Sequence, residues 1–218
     1  MNLPPNFDRL ATLYRWMEYL TFGPWLNRIR CAFLTDLGAC RRALVLGDGD
    51  GRFTERLLRS NPTIQIDAVE ASPAMLNSLL RRAGPNATRV QTYLADARQW
   101  QPPTHPYDLV ATHFFLDCLT TNEVQSLASQ LRAAVSPSAL WLVSEFSIPP
   151  GLFGRLAARP LVAALYVAFG WLTGLSVRVL PDYRTALSAS GFSLVQDRTL
   201  LWGLLTGELW SAKPPGAQ

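Results

Sequence analysis

The sequence predicts an α/β protein built on a doubly wound, mostly parallel sheet, and three observations carry that expectation. Short apolar runs suited to buried strands alternate with stretches of helical character along most of the chain. The first such run, residues 43–46, feeds directly into alternating glycines and then a helix-like run at 53–58. The 218 residues, 49% of them hydrophobic, suffice for one sizeable domain with a filled core and are few for two.

In chain order, residues 7–34 read as helical and hold Tyr14, Trp16, Tyr19, Phe22 and Trp25, aromatics that suit helices packed on a sheet. Strands are expected over 43–46, 64–70, 89–94, 107–112 and 139–146. The stretch 121–135 reads as a helix, since Thr121 and Glu123 suit a positive N-terminal end. Residues 181–190 read as a helix stopped by Gly191, followed by a terminal strand pair over 192–199 and 202–210. Residues 161–177 are nearly all apolar and are flanked by Arg155, Arg159 and Arg178. A bilayer span needs about 20 apolar residues. This run is shorter, holds Gly170, Thr173, Gly174 and Ser176, and precedes the sixth strand, where a span would cut the sheet from its own edge. It reads as a helical insertion over 150–178. The expected organisation is a helical cap (1–38), the sheet domain with its insertion (39–212) and a flexible tail (213–218), with no internal repeat.

The turn after the first strand, Gly47-Asp48-Gly49-Asp50-Gly51, is built for a ligand. Glycine permits a sharp turn and close approach, and the following helix offers free N–H groups. The dinucleotide fingerprint needs glycine at its first, third and sixth positions. The sixth position is Arg52 counted from Gly47 and Thr54 counted from Gly49, so neither register fits. Asp48 and Asp50 would also repel a pyrophosphate, whereas a cofactor with positive charge suits them. Glu70 ends the second strand, where a carboxylate can accept both ribose hydroxyls. Asp96 follows the third strand, where an acid can accept from an adenine amino group.

Gly47-x-Gly49-x-Gly51, then Glu70-Ala71-Ser72-Pro73-Ala74-Met75-Leu76, then Leu94-Ala95-Asp96-Ala97 resembles the class I S-adenosylmethionine-dependent methyltransferases. The resemblance covers roughly residues 40–212. It implies a Rossmann-like seven-stranded sheet, mostly parallel with an antiparallel last strand, with N-terminal helices and a helical lid insertion. It further implies S-adenosyl-L-methionine as cofactor and S-adenosyl-L-homocysteine as product. By position, Gly47, Asp48, Gly49 and Gly51 would face the methionine portion, Glu70 and Ala71 the ribose, and Asp96 and Ala97 the adenine edge, with Met75 packed on the base. Ala11-x-x-Tyr14 and Phe22-Gly23 resemble the start of the quinone-biosynthesis C-methyltransferase branch, which implies that Tyr14 covers the cofactor. The family keeps an acid two residues before its first glycine, and this chain has Val45 there.

Ligands of open α/β sheets bind beyond the carboxyl ends of the strands, where the fourth strand delivers His113 and Asp117. His113 has the intrinsic pKa of a general base, and Asp117 could orient or replace it. An insertion this apolar argues for a small, hydrophobic acceptor, or for docking on a membrane surface with arginines toward lipid phosphates. With a formal charge of +4 and scattered arginines, no nucleic-acid partner is expected. Two histidines, His105 and His113, make a metal site unexpected. Cys31, Cys40 and Cys118 are odd in number and lack CxxC spacing, and the start shows no secretory pattern. A cytoplasmic, at most membrane-peripheral, location is therefore expected. Oligomeric state and the atom methylated are not legible. The readings left beside the enzyme are a cofactor-binding sensor of the same fold and an NAD(P)-dependent oxidoreductase.

Overall fold

The computed structural model of the chain describes residues 22–103, 106–173, 177 and 179–212, with backbone alone for 168–173. Tyr14, His105 and the tail 213–218 lie outside the described residues. Seven strands form one sheet: β1 (Arg42–Leu46), β2 (Gln65–Glu70), β3 (Val90–Leu94), β4 (Tyr107–His113), β5 (Val135–Phe146), β6 (Ser193–Leu200) and β7 (Leu205–Ser211). Their spatial order is β3-β2-β1-β4-β5-β7-β6, with β7 antiparallel to both neighbours and the other pairings parallel. The chain winds outward from β1 to β3 and then returns to β4 on the other side of β1. The switch point thus lies between β1 and β4, at the end of the glycine turn.

Strand residues alternate between two cores, as the pleat requires. Leu44, Val110, Trp141 and Val143 face one core, under α4 (Thr121–Ala134) and α6 (Tyr183–Ala189). Ala43, Val45, Leu109 and Leu142 face the other, under α2 (Arg52–Ser60) and α3 (Pro73–Ala83). The short α1 (Pro24–Arg30) leans on the β5–β7 end, and α5 (Arg159–Thr173) packs beside it with Tyr166 and Val162 buried. Caps set the helix starts. The Ser72 hydroxyl accepts the Met75 N–H at 3.2 Å, and Thr120 and Glu123 form a reciprocal capping box.

Several boundaries differ from the expected ones, each for a local reason. Of the expected helical segment 7–34, the described residues form α1, entered at Gly23 (φ 37°) and Pro24 and ended at Arg30, and a 3-10 turn, Leu34–Leu37, follows. Helix α3, which no periodicity had marked, starts on the Ser72-Pro73 cap. Strand β5 begins at Val135, four residues early, because Val135 pairs with Tyr107 before the register shifts. Helix α6 begins at Tyr183, as the Asp182 carboxylate caps the Thr185 N–H at 3.1 Å. Trp202 is not in the last strand. It sits in a 3-10 turn, Leu201–Gly203, and β7 starts at Leu205. The insertion begins as a π-turn, Gly154–Ala158, that runs into α5. No helix among the described residues is long and apolar enough to cross a membrane.

Candidate active site

The three glycines of the turn after β1 all have positive φ, but for different reasons. A Cβ at Gly47 would lie 2.5 Å from the Phe115 ring, and one at Gly51 would lie 2.7 Å from Leu79 Cα. Those two are required by packing. A Cβ at Gly49 would meet only Met75 Sδ, at 3.9 Å, so the space over Gly49 is the open part of the cradle. The Asp48 carboxylate closes the turn onto α2, accepting the Phe53 N–H at 3.3 Å and the Thr54 N–H at 2.8 Å. Burial raises its pKa, against those amides and the Arg30 charge. Asp50 pairs with Arg82 at 2.7 Å and Arg52 at 3.2 Å, tying the turn to α3. Val45 is buried in the core with Phe53 and Ala111, so apolar packing fills the place of the family's acid.

Glu70 joins this turn to the next. One carboxylate oxygen accepts the Gly49 N–H at 3.2 Å, and the other accepts the Ala71 and Ser72 N–H groups at 2.9 and 3.2 Å. Burial raises its pKa, with the three amides opposing. Met75 is buried under the glycine turn at the start of α3, and Ala97 is buried in the α4-side core. The Asp96 carboxylate is held by Arg98, with an Nη2–Oδ2 contact of 2.6 Å, and Arg98 also reaches Glu123 at 3.1 Å. That pairing keeps the Asp96 pKa below the usual range.

Beyond β4 the two candidate catalytic side chains part ways. His113 is 3% exposed and packed at a tilt against Phe53, with ring centroids 4.2 Å apart, and its Nδ1 lies 2.9 Å from the Ser144 hydroxyl. Its Nε2 is buried without a partner among the described residues. Burial, then the Arg30 charge, holds its pKa well below the ordinary value, so the ring is neutral. Asp117 lies on the turn after β4, where burial raises its pKa to about 6. The Cys118 thiol donates to it at 3.4 Å.

Three residues without a role in the sequence pattern complete this end. Glu145, at the end of β5, is 1% exposed; its Oε1 accepts the Phe115 and Leu116 N–H groups at 3.1 and 2.8 Å. Its Oε2 has no partner among the described residues. Burial and then the Asp117 charge push its pKa well up. The Tyr166 hydroxyl of α5 donates to the Asp117 carbonyl at 2.9 Å. Arg30, on α1, is 7% exposed and lies over the Phe114 ring at 5.1 Å, and its charge acts on both Asp48 and His113. An acid ending a strand was a readable signal for Glu145; nothing in the local pattern singles out Arg30 or Tyr166. The fold thus brings Gly49, Asp48, Glu70, Met75, Asp117 and Glu145 to the carboxyl end of the sheet, with Asp96 beyond β3.

Comparison with known proteins agrees with this geometry. The family described as "Methyltransferase domain" matches residues 43–138, from β1 into β5. Malonyl-[acyl-carrier protein] O-methyltransferase of Paenibacillus sp. (strain JDR-2) is 26% identical over 160 residues, 71% of this chain and 56% of that protein. An O-methyltransferase family protein from Burkholderia thailandensis shares the fold with a TM-score of 0.72 at 14% identity, over 96% of this chain and 61% of that one. The N-methyltransferase NodS from Bradyrhizobium japonicum WM9, solved with S-adenosyl-l-homocysteine, gives a TM-score of 0.64 at 13% identity, over 88% and 87% of the two chains. The chain spans little more than half the length of the curated relative it matches. Residues 43–138 thus carry the methyltransferase-domain pattern across the glycine turn, and the seven-stranded sheet has the fold of the class I S-adenosylmethionine-dependent methyltransferases.

Proposed function

We propose that this chain transfers a methyl group from S-adenosylmethionine to an O–H group of a small, hydrophobic acceptor. The observation that carries the reading is the Glu70 carboxylate bridging the Gly49 amide and the turn after β2, beside the one glycine whose Cβ position is open. When bound, S-adenosylmethionine supplies an electrophilic sulfonium methyl. Glu70 then accepts the ribose hydroxyls with its remaining lone pairs, Met75 and Ala97 line the adenine, and Asp96 accepts the adenine amino group beside its Arg98 contact. Ala71 borders the ribose. Arg30 holds the carboxylate of the methionine portion and Asp48 its ammonium, a pairing that serves where the family's acid is Val45.

Methyl transfer is an in-line displacement, so most of the work is alignment and the exclusion of water. Of the two candidate bases, Asp117 suits the proton better. A carboxylate with a pKa near 6 is ionised at neutral pH and close to the optimum for proton transfer. His113 is neutral and packed on Phe53, which suits positioning of the strand end.

Isothermal titration with S-adenosylhomocysteine tests the reading. We expect micromolar binding that weakens at least about tenfold in Glu70→Ala or Asp96→Ala, each loss exceeding about 1.4 kcal/mol. NADH binding in its place would overturn the assignment. Failure of labelled cofactor to methylate anything in cell extract, with binding intact, would favour the sensor reading.

A further inference from the structure

We propose that the outer face of the π-turn and α5, together with the Trp202 turn, docks on an anionic lipid bilayer. This arm touches the body of the protein along one narrow stripe, Gly154, Ala158, Val162 and Tyr166, with Leu165 half-buried beside it. A helix on a protein surface ordinarily turns polar side chains outward. Here the exposed positions from 151 to 167 are glycine, alanine, proline and large apolar residues, broken only by Arg155 and Arg159. Leu152 is 72% exposed, Leu156 74% and Val167 64%.

The patch continues onto a second element. Leu201 and Trp202 both adopt positive φ, 52° and 54°, a conformation that bulky residues rarely take. It leaves the Trp202 side chain 83% exposed, with its ring edge-on to Phe153 at 5.5 Å. Two elements far apart in sequence thus present one apolar surface. A face of this kind marks an interaction site.

Charge identifies what it meets. The sequence has no Asp or Glu between Glu145 and Asp182, and it has three arginines there. Arg155 and Arg159 are exposed, and neither forms an ion pair with a described residue. Aliphatic side chains, an outward tryptophan and unpaired arginines on one face match the interface of an anionic bilayer. The apolar groups enter the acyl boundary, and the guanidinium groups reach phosphates. Since no described helix is long enough to span, the arm lies in the plane of the surface. The inference rests on this surface alone and does not depend on the methyl-transfer reading.

Co-sedimentation of the full chain with phosphatidylcholine vesicles, with and without phosphatidylglycerol, tests it. We expect partition into the anionic vesicles to exceed that into the neutral ones, and to fall about fivefold for each of Arg155→Gln and Arg159→Gln. Leu156→Asp with Trp202→Ser should lower it at least about tenfold, in high salt as well as low. These side chains are exposed, so the variants should keep their circular dichroism and melting temperature. No partition into anionic vesicles, or partition unchanged in the Leu156→Asp/Trp202→Ser variant, would overturn the proposal. So would a dimer seen by sedimentation without vesicles and dissolved by that variant, since a second copy would then be the occupant.

Discussion

The Tyr166 hydroxyl donates to the Asp117 carbonyl at 2.9 Å, which fastens α5 to the turn after β4. It is a side-chain bond between the inserted arm and the candidate catalytic turn, and the burial of Tyr166 makes it count. Tyr166→Phe keeps the packing and removes the bond, at a cost of about 1 kcal/mol. Hydrogen exchange should quicken at the amides of Cys118 and Leu119 and along α5, while β1 and β2 stay protected.

Gly49 and Gly51 should separate under the same substitution. Gly51→Ala drives a Cβ to 2.7 Å from Leu79 Cα, so it should destabilise by several kcal/mol, read as a lower urea midpoint. Gly49→Ala meets no close atom and should cost only the positive φ, about 1–2 kcal/mol. Its main effect should be weaker S-adenosylhomocysteine binding in calorimetry.

Asp117 gives two pH signatures. As a base it must be ionised, so the rate should rise with pH through about 6 and level off above. That limb should vanish in Asp117→Asn and persist in His113→Gln, because the His113 ring titrates well below its ordinary value. For stability the sign is opposite. The native pKa lies above the ordinary 3.8, so the native state binds the proton more tightly, and stability is lost as pH rises from about 4 through 6. Asp117→Asn should therefore be more stable than the parent at pH 8, by about 3 kcal/mol, and the two should converge near pH 4.

A fourth test concerns a carboxylate that serves the fold alone. Glu208 is fully buried on β7 and accepts from the Tyr183 hydroxyl at 2.8 Å, Arg184 Nε at 2.8 Å and Trp210 Nε1 at 2.9 Å. Glu208→Ala strands those donors and should cost about 2–4 kcal/mol in denaturant unfolding. Cofactor affinity, measured under native conditions, should hold.

The sheet was legible because its central strands β1, β4 and β5 carry buried apolar runs beside turn signals, and the glycine turn could be read in register against a rival fingerprint. What stayed hidden depends on contacts distant in sequence. The early start of β5 comes from Val135 pairing with Tyr107, and the exclusion of Trp202 from β7 from a turn with three residues at positive φ. Arg30 is one arginine among many until α1 lays it over Phe114. The sequence offers His113 as base with Asp117 to orient or replace it, and only the third dimension packs one against Phe53 and leaves the other at the turn.

The two amides that Asp48 accepts belong to Phe53 and Thr54, the second and third residues of α2. The wall of the cradle and the first turn of a core helix are therefore mechanically one piece. Reshaping that wall around a bulkier or smaller ligand would mean fraying a helix whose Phe53 and Leu57 are fully enclosed. On the proposed reading the acceptor is therefore more readily altered than the cofactor, since the arm after β5 can be exchanged without disturbing that joint.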